Sequence, residues 1–180
     1  MDKKNWVVQH NALVTARYRL TVEEQRLIKT VVSLIHRNDE DFKSYEIKIA
    51  ELAKILGIVD ASYYSRVKKV IKGILNDRTV LDFVNEHGQE VQTRWLSSAV
   101  YSPNEGIVEL RFDPVLKPYL LQLKTIFTYY ELENILQLRG MYSIRIYELL
   151  KQYESIGKRE FSLDDFKKIL IIEDKYKEYR

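Results

Sequence analysis

Residues 60–76 carry apolar side chains at the spacing of one buried helical face, and this pattern constrains the fold more than any other part of the chain. The apolar positions are Tyr63, Val67, Val70, Ile71 and Ile74. The opposite face is polar and basic: Ser62, Ser65, Arg66, Lys68, Lys69 and Lys72. Asp60 precedes the helix as a candidate N-cap. The pattern predicts a helix with an apolar back and a basic front, as in the recognition helix of a helix-turn-helix. The alternative is a cationic surface helix that serves solubility alone.

The sequence before this helix predicts the first half of a winged helix. Thr21 and Glu24 have the spacing of a capping box, and apolar residues follow at helical intervals. Gly57 supplies a C-terminal stop for a second helix, because glycine adopts the left-handed conformation without a steric penalty. The predicted elements are a helix over 21–35, a short strand over 45–49 and a helix over 50–56.

Two β-hairpins are predicted after the basic helix. The first pairs residues 79–84 with 91–95 around a turn at 85–89, and the second pairs 99–102 with 107–112 around Pro103-Asn104-Glu105-Gly106. A sheet of this kind packs beneath the helices and leaves one hairpin tip free as the wing. The predicted fold class is therefore α+β, a helix-turn-helix with a β-hairpin wing.

The remaining sequence predicts further helices and a partial repeat. Asp113-Pro114 opens a helix that Pro118 shortens. A second helix ends at Gly140. A third carries one apolar stripe, formed by Tyr142, Ile146, Leu149, Leu150 and Tyr153. Residues 160–170 repeat the strand, cap and helix pattern of 45–56. We therefore predict a first winged-helix domain over 1–139 and an incomplete second one over 140–180. The alternative is a coincidence between two amphipathic helices.

Composition narrows the possible functions. The chain has 180 residues, a formal net charge of +3 and no cysteine, which excludes disulfides and thiolate metal sites. Its three histidines are far apart and no phosphate-binding glycine loop occurs, so we expect no metal, no cofactor and no enzymatic activity. No apolar run could span a bilayer and no signal peptide is evident, which predicts a cytoplasmic protein without membrane contact.

Three blocks of the sequence resemble the iteron-binding family of plasmid replication initiators. They are Leu20-Thr21-Val22-Glu23-Glu24-Gln25-Arg26-Leu27-Ile28, Ala50-Glu51-Leu52-Ala53-Lys54-Ile55-Leu56-Gly57-Ile58 and Gly140-Met141-Tyr142-Ser143-Ile144-Arg145-Ile146-Tyr147-Glu148-Leu149-Leu150. The resemblance implies two winged-helix domains that bind repeated origin sequences in double-stranded DNA and homodimerise largely through the first domain. Host replication proteins are further expected partners. Family proteins continue past residue 180 into a second recognition helix, so we expect this chain to be a fragment or a short relative.

The basic helix supplies the candidate DNA-binding residues. Four side chains are predicted to lie in or beside the major groove: Ser62, Tyr64, Ser65 and Arg66. Three are predicted to neutralise phosphates: Lys68, Lys69 and Lys72. Arg94 and the turn at 85–89 are weaker candidates, as a wing along the DNA backbone, and Tyr63 is predicted to lie in the core.

Two other functions fit the same sequence. One is a winged-helix transcription regulator that takes no part in replication, which binding to a promoter in preference to origin repeats would identify. The other is a dimerisation or protein-interaction module with little DNA affinity, in which the basic helix is merely solvated.

Overall fold

A computed structural model describes residues 5–76 and 80–175. The strands in this part of the chain are β1 Trp6–His10, β2 Tyr45–Lys48, β3 Leu81–Val84, β4 Glu90–Thr93, β5 Leu96–Ser102, β6 Ile107–Phe112 and β7 Phe127–Glu131. The α-helices are α1 Asn11–Thr15, α2 Val22–Val32, α3 Ile49–Leu56, α4 Tyr63–Ile74, α5 Lys117–Leu120, α6 Leu132–Leu136, α7 Met141–Lys151 and α8 Leu163–Leu170, with a 3-10 helix at Pro114–Leu116. None of the helices described is long and apolar enough to cross a membrane.

The predicted winged helix is confirmed. Helices α2, α3 and α4 pack on one another, and an antiparallel sheet of order β2-β6-β5 completes the layer. The predicted capping box forms, since the Thr21 hydroxyl accepts from the Glu24 N–H and the Glu24 carboxylate accepts from the Thr21 N–H. Gly57 ends α3 with φ +76°, a conformation that favours glycine, and so permits the tight turn toward α4.

The two hairpins do not form one sheet, and the second one is the wing. Strand β6 pairs with both β2 and β5, so the hairpin β5–β6 joins the sheet of the helix-turn-helix. Hairpin β3–β4 forms a separate two-stranded sheet, and Arg17 bridges to Asp82 on its far side. The turn at 85–89 therefore belongs to a hairpin that is separate from the sheet of the helix-turn-helix. The predicted start of that strand at Thr79 lies outside the described residues.

Strand β7 was not predicted, because its partner lies at the other end of the chain. β1 pairs antiparallel with β7 from Trp6 opposite Glu131 to His10 opposite Phe127. Thr128 and Tyr130 are buried, whereas Tyr129 is exposed, as a half-buried strand requires. Before Gly140 the sequence indicated only a helix that ends at that residue, with no strand paired to the start of the chain.

A buried cluster of charged and polar groups joins α7 to this sheet and to α2. The Glu148 carboxylate lies 2.8 Å from the Lys29 ammonium and accepts hydrogen bonds from Gln9 at 2.6 Å and Tyr130 at 2.5 Å. Lys29 also donates to the side-chain oxygen of Gln9 at 2.7 Å. Arg145 lies 3.5 Å from the second Glu148 oxygen. All five residues are almost fully buried, so Glu148 is the counter-ion of both Lys29 and Arg145 away from solvent. Arg145 also donates to the Ala16 carbonyl oxygen at 2.7 Å and to the Tyr18 hydroxyl at 2.6 Å.

The charges of this cluster determine the titration of Glu148. Burial alone would raise the pKa of the Glu148 carboxyl, but Lys29 and Arg145 outweigh burial and the pKa is lowered. Burial lowers the pKa of Lys29, and Glu148 opposes that effect. The folded state therefore keeps Glu148 ionised.

Helix α7 also contributes to a second, smaller hydrophobic cluster. Val14, Leu149 and Leu170 are its buried residues, and aromatic and aliphatic side chains of α7 and α8 surround them. Ser162 caps α8 by accepting the Asp165 N–H, as the sequence indicated. The strand predicted before α8 does not form in the described residues, and Leu150 is exposed rather than part of the predicted stripe.

Helix α4 packs through a stripe that differs by one residue from the prediction. Val67, Ile71 and Ile74 are fully buried, and Tyr64 packs against the same core. The hydroxyl of Tyr64 is buried and has no hydrogen-bond partner among the residues that the structure describes, whereas 37% of Tyr63 is exposed. Positions 64, 67, 71 and 74 follow the i, i+3, i+7, i+10 spacing of one helical face. The prediction that Tyr63 lies in the core and Tyr64 faces outward is therefore reversed.

The substitution Glu148→Gln tests the buried cluster. Removing one charge leaves Lys29 and Arg145 buried without their counter-ion, so we expect the free energy of unfolding to fall by about 3–5 kcal/mol in urea titrations. The matched control is Glu154→Gln, which removes an exposed partner of Lys151 and should cost about 1 kcal/mol at most. Equal losses in the two variants would contradict the role assigned to the cluster.

The ionised Glu148 also makes the free energy of unfolding depend on pH. Because folding lowers the pKa of Glu148, its carboxylate stabilises the native state above its unfolded pKa, and this contribution disappears as pH falls through the folded pKa. The stability difference between wild type and Glu148→Gln should therefore narrow in acid. Urea titrations from neutral to acidic pH measure this, and a constant difference would refute it.

The adjacent tyrosines of α4 provide a second matched pair. Tyr64→Ala should lower the free energy of unfolding by about 2–3 kcal/mol, because it leaves a cavity behind the helix. Tyr63→Ala should change it by roughly 0.5 kcal/mol, as exposed substitutions do. Tyr64→Phe should be neutral or stabilising, since it removes a hydroxyl that has no partner. A larger loss for Tyr63→Ala would contradict this packing.

Candidate nucleic-acid interface

The outer face of α4 presents a continuous polar and basic surface. Its packing stripe fixes the helix against the core, so the remaining side chains turn to solvent. The exposed residues of this surface, which we call the basic face, are Ser62, Ser65, Arg66, Lys68, Lys69 and Lys72. Six of the eight predicted site residues therefore lie on one surface.

The lysines of the basic face remain exposed. Lys68 lies over the ring of Tyr101 on β5, with the ammonium 4.8 Å from the ring centroid. This cation–π contact orients Lys68 beside the wing hairpin. Lys69 and Lys72 have no ion pair within the described ranges 5–76 and 80–175. Their ammonium groups can therefore bind an anion without first breaking an internal pair.

The two serines of the basic face already use their hydroxyl protons. Ser62 donates its hydroxyl proton to the Asp60 carboxylate, and Ser65 donates to the Ser62 carbonyl oxygen at 2.9 Å. Each hydroxyl oxygen retains lone pairs toward solvent. In this arrangement both serines can accept hydrogen bonds, for example from the amino groups that adenine and cytosine expose in the major groove.

Asp60 is not the N-cap of α4 but a partner of the helix's first turns. Ser62 occupies the N-cap position. The Asp60 carboxylate accepts the Ser62 N–H at 2.9 Å and pairs with the Arg66 guanidinium. Hydrogen bonds from Ser62 and Arg66 hold the pKa of Asp60 below its usual value. The predicted groove residue Arg66 is therefore tethered by a carboxylate that the sequence pattern treated as a cap.

Tyr64 and Arg94 lie apart from the basic face. Tyr64 is part of the core packing. Arg94 is half-buried and donates to the Leu75 carbonyl oxygen at 3.3 Å, at the C-terminal end of α4. It satisfies a carbonyl that the helix leaves unpaired. Arg94 thus secures the position of α4 instead of extending from a wing.

The turn at 85–89 is the tip of the separate hairpin β3–β4. The Asn85 side chain accepts the N–H groups of His87 and Gln89. Burial lowers the pKa of the His10 imidazole, and the charge of Glu86 opposes this effect. The wing that accompanies α4 is instead the tip of β5–β6.

Sequence reasoning missed Asp60 and Tyr101 as neighbours of the basic face. Asp60 and Arg66 are six residues apart, which is not a helical ion-pair spacing, so no local pattern signals their contact. Tyr101 comes from a strand that meets α4 only in the folded chain. Within the described part of the sequence, no group of His, Cys, Asp and Glu side chains has the arrangement of a metal site.

Known proteins are similar to this chain in both sequence and fold. The family model for "Initiator Replication protein, WH1" matches residues 6–151. A replication initiation protein from Escherichia coli is 30% identical over 97% of this chain and 57% of its own length, and the PI protein of Escherichia coli is 24% identical over 95% and 64%. The chain thus spans less than two thirds of the length of these relatives.

A solved structure supports the same fold. The Pi initiator protein, crystallised in complex with iteron DNA, superposes with a TM-score of 0.75 at 22% sequence identity, covering 95% of this chain and 74% of that protein. This likeness in fold covers more of the chain than the family model does. The family match over residues 6–151 leads to one conclusion: the chain belongs to the replication initiator protein family described by the WH1 model.

Proposed function

We propose that this chain is a DNA-binding portion of a plasmid replication initiator that binds repeated origin sequences through the basic face of α4. The observation that carries the proposal is the exposed cluster of Lys68, Lys69, Lys72 and Arg66 on the second helix of a helix-turn-helix. The N-terminal part of such a helix enters the major groove while cations contact phosphates. Family membership and the iteron DNA bound by the Pi initiator support the same role.

Binding rather than bond-making is the proposed mode of action. The residues of the basic face supply positive charge and hydrogen-bond acceptors, which suit phosphates and base edges. Tyr64, which sequence alone placed in the groove, has no role in this proposal, and Arg94 acts by supporting α4.

The proposed protein partners are a second copy of this chain, in a homodimer, and host replication proteins. Strand β5 is the edge of its sheet, since β6 is its only partner in the described sheet, and Val100 on it is exposed. An unpaired edge offers backbone N–H and C=O groups to a second chain. A measured dimer that has no DNA affinity would favour the interaction-module function instead, and binding confined to a promoter would favour a transcription regulator.

We also propose that residues from Gly140 onward open a second winged-helix unit. Helix α7 packs on both hydrophobic clusters, and α8 follows it with an apolar face like that of α3. The Ser162 hydroxyl caps α8, whereas no side chain in the described part of the chain caps α3. The location of the protein in the cytoplasm stays a prediction from the sequence.

The double substitution Lys68→Ala with Lys69→Ala tests the basic face. Binding to every duplex should weaken, and the slope of log K against log salt should fall by about one to two units, because fewer counterions are released. Fluorescence anisotropy at several salt concentrations, with an origin repeat and a scrambled duplex, measures both effects.

The matched control removes two lysines elsewhere. Lys124→Ala with Lys158→Ala makes the same change in net charge at exposed sites outside α4. The salt slope should stay within a few tenths of a unit of wild type. If the two double variants lower the slope equally, the effect is due to net charge and the basic face is not the DNA-binding surface.

A further inference from the structure

Arg66 is the one arginine of the basic face, and an acidic residue tethers it at one point. Its Nη1 pairs with Asp60 Oδ2, while the other Asp60 oxygen is held by the backbone N–H and the hydroxyl of Ser62. The carboxylate is thus fixed by three donors on the first turn of α4. The contact uses one of the guanidinium's five N–H groups and leaves Nε and Nη2 unengaged among the described contacts.

Stability does not explain this pair. The side chains of Arg66 and Asp60 are 49% and 43% exposed, and ion pairs of that kind contribute little to folding. A carboxylate beside a DNA-binding surface also repels phosphates. The charge of Asp60 therefore weakens binding to duplexes in general. It is of use to a DNA-binding surface where it improves binding to one particular sequence.

We propose that Asp60 is a specificity-determining residue that positions Arg66 to read a guanine and disfavours binding to other sequences. This inference rests on the proposed function. A guanidinium held at Nη1 can still present two parallel N–H groups to O6 and N7 of guanine, the commonest specific contact in the major groove. A tethered arginine has fewer rotamers to lose when it binds the base.

The carboxylate also acts against wrong sequences. Where no guanine lies opposite Arg66, no base contact by the guanidinium offsets the repulsion between the Asp60 carboxylate and the DNA phosphates. Discrimination then comes from repulsion of incorrect sites as well as attraction to the correct one. Asp60 acts through Arg66 and is a positioning residue, not a base contact.

Selection from a library of random duplexes tests this inference whatever the sequence of the origin. Wild type should enrich a motif that contains guanine at one position. Arg66→Ala should relax the preference at that position. Asp60→Asn keeps the acceptor for Ser62 but loses the charge, so it should relax the same position about tenfold while binding to a scrambled duplex becomes tighter.

Three further variants separate positioning from general effects. Asp60→Glu should recover part of the guanine preference, since it restores the carboxylate. Asp60→Asn in an Arg66→Ala background should leave the preference unchanged, because no guanidinium remains to be positioned. Asp164→Asn makes the same charge change on the first turn of α8 and should leave the motif as in wild type.

The outcomes discriminate between the two proposals. If wild type enriches a motif and Asp60→Asn leaves it unchanged, or relaxes a different position from Arg66→Ala, the role of Asp60 is refuted and DNA binding by α4 stands. If wild type binds no duplex and enriches nothing, the proposed function fails and this inference fails with it. The role of Asp60 is supported if Asp60→Asn and Arg66→Ala both lose the guanine preference at the same position, and only Asp60→Asn binds the scrambled duplex more tightly.

Discussion

The arrangement of this chain depends on the contacts of one buried group, the Glu148 carboxylate. It joins Lys29 of α2, Gln9 of β1 and Tyr130 of β7 to helix α7, and every participant is buried. A cluster of this kind contributes less through the attraction of its charges than through the cost of leaving any one of them alone. The N-terminal strand, the first long helix and the last helix before α8 are therefore constrained to one relative position.

That constraint reaches the basic face through α2. One side of α2 meets the Glu148 cluster, and the other packs on α3 and α4. Arg26 on the same helix donates to Leu56 at the end of α3 and to Leu136 and Leu138 at and after the end of α6. The α3–α4 turn is thus anchored to α6 by hydrogen bonds from one side chain. The surface that is proposed to meet DNA is thus held in position by the helix behind it.

Local patterns in the sequence were sufficient for the winged helix and for most of the basic face. Capping by Thr21 and Glu24, the left-handed Gly57 and the alternation in β6 each depend on neighbours within a few residues, so the sequence displays them. Strand β7 and the Glu148 cluster could not be predicted, because β1 and Gln9 lie more than a hundred residues from β7 and Glu148. The reversal of Tyr63 and Tyr64 has another cause: two adjacent aromatic residues fit the same periodicity almost equally well, and packing decides between them. Asp60 and Arg94 likewise acquire their roles only from folded neighbours.

The pairing of β1 with β7 has a consequence for synthesis on the ribosome. Trp6 emerges early, but its partner Glu131 follows roughly 120 residues later, which takes on the order of ten seconds at typical elongation rates. During that interval β1 has no strand beside it, and Lys29 lacks its carboxylate until Glu148 emerges later still. Helices α2 to α4 can assemble meanwhile from contacts that are close in sequence. The nascent chain is therefore expected to present a formed helix-turn-helix before β1 is paired, and β1 is the strand most open to chaperones during that interval.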